Sequence, residues 1–191
     1  MRPPIAKRVA EGILNTKPLN RAALLDHLSA MGITTTTVDH APAHTVAESS
    51  TIDLPLPGAH TKNLFLKDEE GTLLLVVAKS STKVDLKLLA RKLGTGRLSF
   101  GKPELLMEAL GVTPGSVTAF SIINDQKRRV RVIMDQELTA HDSVNCHPLE
   151  NTATTNIALA SLLRFIRQTG HEPKTLGLET LGRETQGPAS T

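Results

Sequence analysis

The stretch Gly58-Ala59-His60-Thr61-Lys62-Asn63-Leu64-Phe65-Leu66-Lys67 is followed by Asp68-Glu69-Glu70-Gly71 and then by Leu73-Leu74-Leu75-Val76-Val77. An apolar run, a polar turn ending in glycine and a second, wholly apolar run predict a β-hairpin, with Leu64-Phe65-Leu66 as its first strand and a well-buried return. Lys62 and Asn63 stand at its entrance, so a cation is presented at the mouth of a rigid element, where a site is best built. Adjacent residues of an extended segment point to opposite faces. Unless the strand begins after Asn63, only one of the two side chains enters a given pocket.

Upstream, Leu24, Leu28 and Met31 at helical spacing predict a helix over Asn20 to Met31, with Asn20 as N-cap and Gly32 as its stop. Ile33 to Val38 alternates threonine with apolar residues like a strand and leads into a loop through His40-Ala41-Pro42-Ala43-His44. Downstream, Val84 to Leu93 and Pro103 to Leu110 read as helices ended by Gly94 and Gly111. Val117 to Ile123, Val130 to Met134 and Ser143 to His147 read as strands, with Lys127-Arg128-Arg129 in a hairpin turn between the first two. A last helix spans Ile157 to Gln168, with Leu159, Leu162, Leu163 and Ile166 on one face. Helices interspersed with short strands predict an α+β fold: one domain with a curled, barrel-like mixed sheet surrounded by helices. The expected organisation is a leader over residues 1–19, the domain over 20–173 and a flexible tail over 174–191, where the apolar period is lost.

At 191 residues the chain fits one domain that buries roughly 70% of its unfolded surface without the help of a metal or disulfide. A net charge of +3 suits contact with a few phosphates better than wrapping a long duplex, so no DNA partner is expected. Four phenylalanines and no tryptophan or tyrosine leave base stacking poorly supplied. The lone cysteine, Cys146, excludes an internal disulfide and fits a reducing cytoplasm. Neither the charged opening segment nor the long uncharged stretch Ala109 to Asn124, with its proline and glycines, reads as a membrane span.

The seven histidines are scattered at 27, 40, 44, 60, 141, 147 and 171, without a His-x-Glu or Glu-x-x-His pattern, so no metal site is expected. A Gly-x-Ser-x-Gly elbow, a P-loop and a dinucleotide fingerprint are all missing from the sequence, and no cofactor is implied. Cys146 and His147 are neighbours, but extended neighbours diverge, which argues against a thiol–imidazole dyad. From the residues alone, Lys62 also reads as an ordinary strand-end lysine, Arg97 as a turn arginine and His147 as a core histidine bonded to backbone.

Four segments taken in order carry more: the Lys62-Asn63 hairpin; Arg97 after Gly94-Thr95-Gly96; the loop Gly111-Val112-Thr113-Pro114-Gly115-Ser116-Val117-Thr118; and Asn145-Cys146-His147-Pro148-Leu149 leading into Asn151-Thr152-Ala153-Thr154-Thr155. Together, from about Leu24 to Pro173, they resemble the prolyl-tRNA editing-domain superfamily, nearest to its free-standing Ala-tRNA(Pro) deacylases. The resemblance implies an aminoacyl-tRNA hydrolase without cofactor or metal. In that reading Lys62 engages the terminal phosphate of the tRNA, and Asn63, Arg97 and His147 shape the acyl pocket. Gly115 offers backbone groups to the carbonyl or water, and Thr118 lies in the same substrate-binding loop. Relatives carry Gly-x-x-x-Pro here, whereas this chain has Gly115-Ser116-Val117-Thr118-Ala119, which puts loop rigidity and amino-acid preference in question. The partners implied are the acceptor end of tRNA(Pro) and prolyl-tRNA synthetase, tRNA identity being read from the acceptor stem or through that synthetase. A deacylase for Cys or Ser on tRNA, and a non-catalytic tRNA- or synthetase-binding module, are the other readings.

Overall fold

The structure is a computed structural model, which describes residues 17–42 and 56–179. Helix α1 (Arg21–Ala30) starts where the Asn20 side chain accepts from the Ala23 amide at 3.0 Å. Strand β1 (Thr35–Asp39) follows. The hairpin forms as expected, but its first strand, β2 (Ala59–Lys67), begins five residues before the apolar run, and β3 (Leu73–Lys79) returns along it. Asp68 builds the turn: its Oδ1 accepts from the amides of Glu70 and Thr72 at 3.0 and 2.8 Å. Helix α2 (Leu86–Leu93) is capped by Asp85 and ended by a left-handed Gly94. A two-residue strand, β4 (Ser99–Phe100), precedes α3 (Pro103–Leu110).

Two expectations for the middle of the chain are corrected. Val117 to Ile123 is not a strand: Ala119–Asn124 forms a 3-10 helix capped by Thr118. It is buried from Ala119 to Ile123, and an apolar run buried all round carries no period to separate strand from helix. Lys127-Arg128-Arg129 therefore joins that helix to β5 (Val130–Asp135) rather than turning a hairpin. A second 3-10 helix (Gln136–Ala140), β6 (Ser143–Cys146), β7 (Ala153–Ala158), α4 (Leu159–Gln168) and β8 (Lys174–Leu176) complete the order. Strand β7 went unread, and the last helix starts two residues later than expected because β7 occupies its predicted first turn. The tail expected from residue 174 is corrected as well: β8 pairs with β5, and Leu178 is buried. Residues 1–16 of the expected leader, residues 43–55 with His44, and the tail from 180 lie outside the described residues.

The fold is α+β with a mixed sheet in the order β1-β7-β6-β2-β3-β5-β8, β4 adding to β2. The curl expected of it does not close a barrel, because β1 and β8 remain separate edges. Strands β2 and β6, β3 and β5, and β5 and β8 run parallel, and the other neighbours antiparallel. Alternation along β3 defines the two faces. Leu73, Leu75 and Val77 join α1, α3, α4 and the first 3-10 helix in the larger core. Leu74, Val76 and Ala78 join α2, Leu98 and Leu178 in a smaller one. Two buried carboxylates lock the strands. Asp135 accepts from the Lys79 amide at 3.1 Å and the Thr82 hydroxyl at 2.5 Å. Asp125 accepts from the Val130 amide at 2.7 Å and from His171 at 3.1 Å. Burial opposes the Asp125 charge, but His171 and the backbone amides of Val130 and Arg129 outweigh it and hold the carboxyl below its usual range.

The parallel join of β2 to β6, with Ala59 opposite Val144 and His60 opposite Asn145, starts at Gly58. This glycine has φ +84°, and a Cβ on it would run into the Ser143 carbonyl. Both strain terms act at once, so Gly58→Ala is expected to cost about 2–4 kcal/mol in urea denaturation. A change below about 0.5 kcal/mol would show that the join tolerates a side chain.

Candidate functional site: a gap in the sheet beside Lys62

One edge of β2 runs unbroken along β3, but the other edge changes neighbour. It pairs with β6 at Ala59 and His60 and with β4 at Leu66 and Lys67. The Phe65 carbonyl accepts from the Gly101 amide at 2.9 Å, just ahead of the β4 pairs. Between these contacts no described strand pairs with β2. Backbone groups alternate sides along a strand, and Phe65 faces this edge, so Asn63 turns its N–H and C=O into the gap as well. Strand β6 leaves because Pro148 carries no amide to continue the ladder and Leu149 takes φ +68°.

Since β2 begins at Ala59, Lys62 and Asn63 diverge. Lys62 lies opposite Ala78, on the smaller-core face, and Asn63 opposite Val77, on the larger-core face. The Asn63 backbone faces the gap, and the Lys62 backbone pairs toward β3 beside it. Lys62 is half-buried. The Asn63 Oδ1 is buried with no hydrogen-bond partner among the described residues, an acceptor left unmet in a place where leaving one costs about 1–3 kcal/mol.

On the β6 side, Thr61 and Cys146 meet on the larger-core face. The Thr61 hydroxyl donates to the Asn145 carbonyl at 2.8 Å and lies 3.4 Å from Cys146 Sγ. Burial pushes the Cys146 thiol up to about 11, with the Thr61 hydroxyl opposing weakly. A thiol so placed is neutral at physiological pH and shielded from solvent.

His147 is on the opposite face, as the divergence of neighbours requires. Its ring lies 6.1 Å from that of His40. His40 in turn is held by the Thr154 hydroxyl at 2.9 Å and the Ala41 carbonyl at 2.8 Å. Burial, and secondarily the nearness of His40, lower the His147 pKa from 6.5, while a hydrogen bond to the Gly115 backbone works the other way. The imidazole is therefore neutral at physiological pH. Gly115 reaches it from the loop between α3 and the 3-10 helix, at φ +87°.

The structure thus brings Gly115 and His147 into contact and places Lys62 on the same side of the sheet, in the register β2 shares with β6. Three expected members stand apart, Asn63 on the larger-core face among them. Thr118 is fully buried, and its hydroxyl accepts from the Phe120 amide at 3.3 Å, so it caps a helix. The Ser121 hydroxyl donates to the Thr118 carbonyl at 2.6 Å and firms the same turn. Arg97 is exposed and precedes β4, which runs antiparallel to β2 and meets it at Lys67. Five residues of strand, roughly 17 Å, separate Lys67 from Lys62. Arg97 therefore belongs to the other end of the hairpin, away from Lys62.

His40 and Thr154 were missed, since nothing in a His-Ala-Pro loop or a threonine pair signals that they meet. An amide cluster was missed too: the Asn156 side chain donates to Asn145 Oδ1 at 2.8 Å, and both amides donate to the Pro57 carbonyl, at 2.8 and 3.0 Å. The asparagine of Asn145-Cys146-His147 thus ties the gap's upper rim to the chain entering β2. Among the described residues, no group of three or more His, Cys, Asp or Glu is arranged to hold a metal, and no helix is long and apolar enough to cross a membrane. A cleft of about 330 Å³ lies elsewhere, between β5 and residues Gly170 to Lys174.

Residues 40–165 match the model of the aminoacyl-tRNA editing domain. The chain is 37% identical over 161 residues to a zebrafish (Danio rerio) prolyl-tRNA synthetase associated domain-containing protein 1, covering 83% of this chain and 88% of that one. It is 33% identical over 159 residues to the prolyl-tRNA editing protein ProX of Acetoanaerobium sticklandii, covering 83% and 97%. A crystal structure presented as a candidate trans-editing enzyme for prolyl tRNA synthetase superposes with a TM-score of 0.60 at 20% identity, over 93% of this chain and 98% of that one, and so shares the fold. By family-model match and by identity along most of its length, this chain belongs to the aminoacyl-tRNA editing domain family.

Proposed function

We propose that the protein is a trans-editing deacylase that hydrolyses the ester of mischarged Ala-tRNA(Pro). The observation that carries this reading is the placement of Lys62 and a neutral His147 on one face of the sheet, beside a gap bordered by backbone. An aminoacyl ester is already activated, so holding it in place supplies much of the rate. Lys62, a compact point charge, takes the phosphate of the terminal nucleotide. His147, held by the Gly115 backbone and crowded by His40, positions the acyl group and accepts a proton from the attacking water. The Gly115 loop offers backbone dipoles to the carbonyl oxygen as charge develops there. Water adds to the ester carbonyl, the ribose oxygen leaves with a proton, and free amino acid and tRNA result.

Relatives named for prolyl-tRNA editing support this substrate. So does the need behind it: a proline pocket cannot strongly reject a smaller amino acid, because each missing methylene is worth only about 1–3 kcal/mol. The partners proposed are the acceptor end of tRNA(Pro) and, for tRNA identity, prolyl-tRNA synthetase, in the cytoplasm. Deacylation of Ala-, Cys- and Ser-charged tRNA(Pro) tests the choice directly. Ala-tRNA(Pro) is expected to turn over fastest, preference for Cys or Ser would reassign the substrate, and no turnover above buffer on any would leave a binding module.

Lys62→Ala is expected to lower single-turnover deacylation at least a hundredfold, with the thermal melt within about 2 °C of wild type. A melt that falls with the activity would make Lys62 structural. The acid limb of kcat/KM should have its midpoint below 6.5, because the neutral His147 ring is the working form and its pKa is lowered from that value. The sign for stability is the same: the lowered pKa contributes in full above 6.5, and the contribution is lost as pH falls through the folded value. An acid limb centred above 6.5 would remove His147 from the proton transfer. Iodoacetamide at pH 8 should neither label folded protein at Cys146 nor slow deacylation, since the thiol is buried and its pKa stands near 11. Rapid inactivation would restore the thiol as a nucleophile.

A further inference from the structure

Three of the four phenylalanines, Phe65, Phe120 and Phe165, are at most 4% exposed, while Phe100 is 65% exposed. The chain holds no other aromatic than these and its histidines. Phe100 lies in β4 directly opposite Leu66 of β2, so its side chain stands on the same face of the sheet as Lys62 and Leu64. Four residues of strand separate Lys62 from Leu66, and one strand spacing separates Leu66 from Phe100, which puts the ring roughly 14 Å from Lys62 along that face.

The backbone beneath Phe100 is held firmly. The Gly101 amide donates to the Phe65 carbonyl at 2.9 Å, and the Phe65 ring packs so closely under Gly101 that no Cβ would fit. Leu98 is buried in the smaller core. Between these anchors the chain holds Phe100 outward on a fixed edge. Arg97 and Lys102, both exposed, flank it in the chain, against the carboxylates of Glu69 beside Gly96 and of Glu104 in the first turn of α3, while Lys67, opposite Ser99, points to the other face.

A fixed, exposed ring between two exposed cations of the chain, on the face that carries Lys62, has the chemistry of a stacking platform for an unpaired base. We propose that Phe100 stacks a base of the single-stranded RNA 3′ end, a few nucleotides inward from the terminal phosphate at Lys62, with Arg97 on the neighbouring backbone. This rests on the reading of Lys62 as the anchor of an RNA terminus. It gives Arg97 a task at the end of the hairpin where the fold puts it.

The test measures fluorescence anisotropy of two RNA hairpins with an acceptor-stem sequence, one carrying the unpaired 3′ tail ACCA and one blunt. Phe100→Ala is expected to weaken binding of the tailed hairpin on the order of tenfold and to leave the blunt hairpin within about twofold. Phe100→Trp should bind the tail at least as well as wild type. Arg97→Ala should weaken both hairpins and flatten the dependence of affinity on salt by about one phosphate contact. Because Phe100 is mostly exposed, its variants should melt with wild type. Unchanged tail binding by Phe100→Ala, equal loss on both hairpins, or equal loss by the Trp variant would each overturn the proposal. Wild-type turnover on Ala-tRNA(Pro) is read independently, so failure of the deacylase reading and failure of the stacking site are separate results.

Discussion

A strand edge satisfies each backbone group once, and the outer edge of β2 is divided between two partners that do not meet. Strand β6 takes its first residues and β4 its last. The other edge is held by β3 over seven residues, from Thr61 opposite Lys79 to Lys67 opposite Leu73, so the strand keeps its course across the interval. An opening in a sheet ordinarily leaves unmet polar groups and weakens the fold. Here the cost is confined to a strand whose other edge is paired, and the opening receives Asn63 from within and Lys62 at its rim. Both proposed assignments follow from that division: the acyl-group chemistry belongs to the β6 end of β2, and the approach of the RNA to the β4 end.

The elements easiest to read were those whose burial is one-sided or complete and whose ends carry their own chemistry. Asn20, Asp85, Gly94 and Gly111 act at the helix ends as their residue types dictate. The return strand β3 is apolar from Leu73 to Ala78 because both of its faces are covered there. Reading failed where the burial pattern stopped reporting the backbone. His60, Thr61, Lys62 and Asn63 are polar in succession although they are all strand, since neither face of β2 is sealed there. Strand β7 was lost for a related reason. Its buried Thr154 and Thr155 are satisfied by His40 and Thr37, at 2.9 and 2.8 Å, partners more than a hundred residues away in sequence. Strand β8, three residues long, exists because β5 is beside it.

The candidate site was legible to a corresponding extent. Lys62, Gly115 and His147 were singled out by type and motif; the register of β2 and β6 puts Lys62 and His147 on one face, and the Gly115 backbone bonds the imidazole. Arg97 was misplaced because sequence order says nothing about the direction of β4. In an antiparallel pair, a residue that precedes the short strand ends up beyond the turn end of the hairpin, as far from Lys62 as β2 allows. Thr118 was misread because a hydroxyl next to a glycine loop and a hydroxyl capping a buried 3-10 helix look alike until burial is known.

The pair Cys146-His147 shows how alternation divides structural from chemical tasks. One residue turns into the larger core, where desolvation keeps its thiol protonated. The next turns to the other face, where milder burial and a neighbouring ring keep the imidazole neutral. Reversing their order would put the imidazole on the face of Val144 and Ile157, with the Thr61 hydroxyl near, and would leave the thiol at the gap. A site that breaks an activated ester needs a well-held proton acceptor more than a nucleophile of its own. In the proposed hydrolysis the alternation of β6 presents the imidazole and withholds the thiol, so that the sheet's register, rather than any triad, assembles the chemistry.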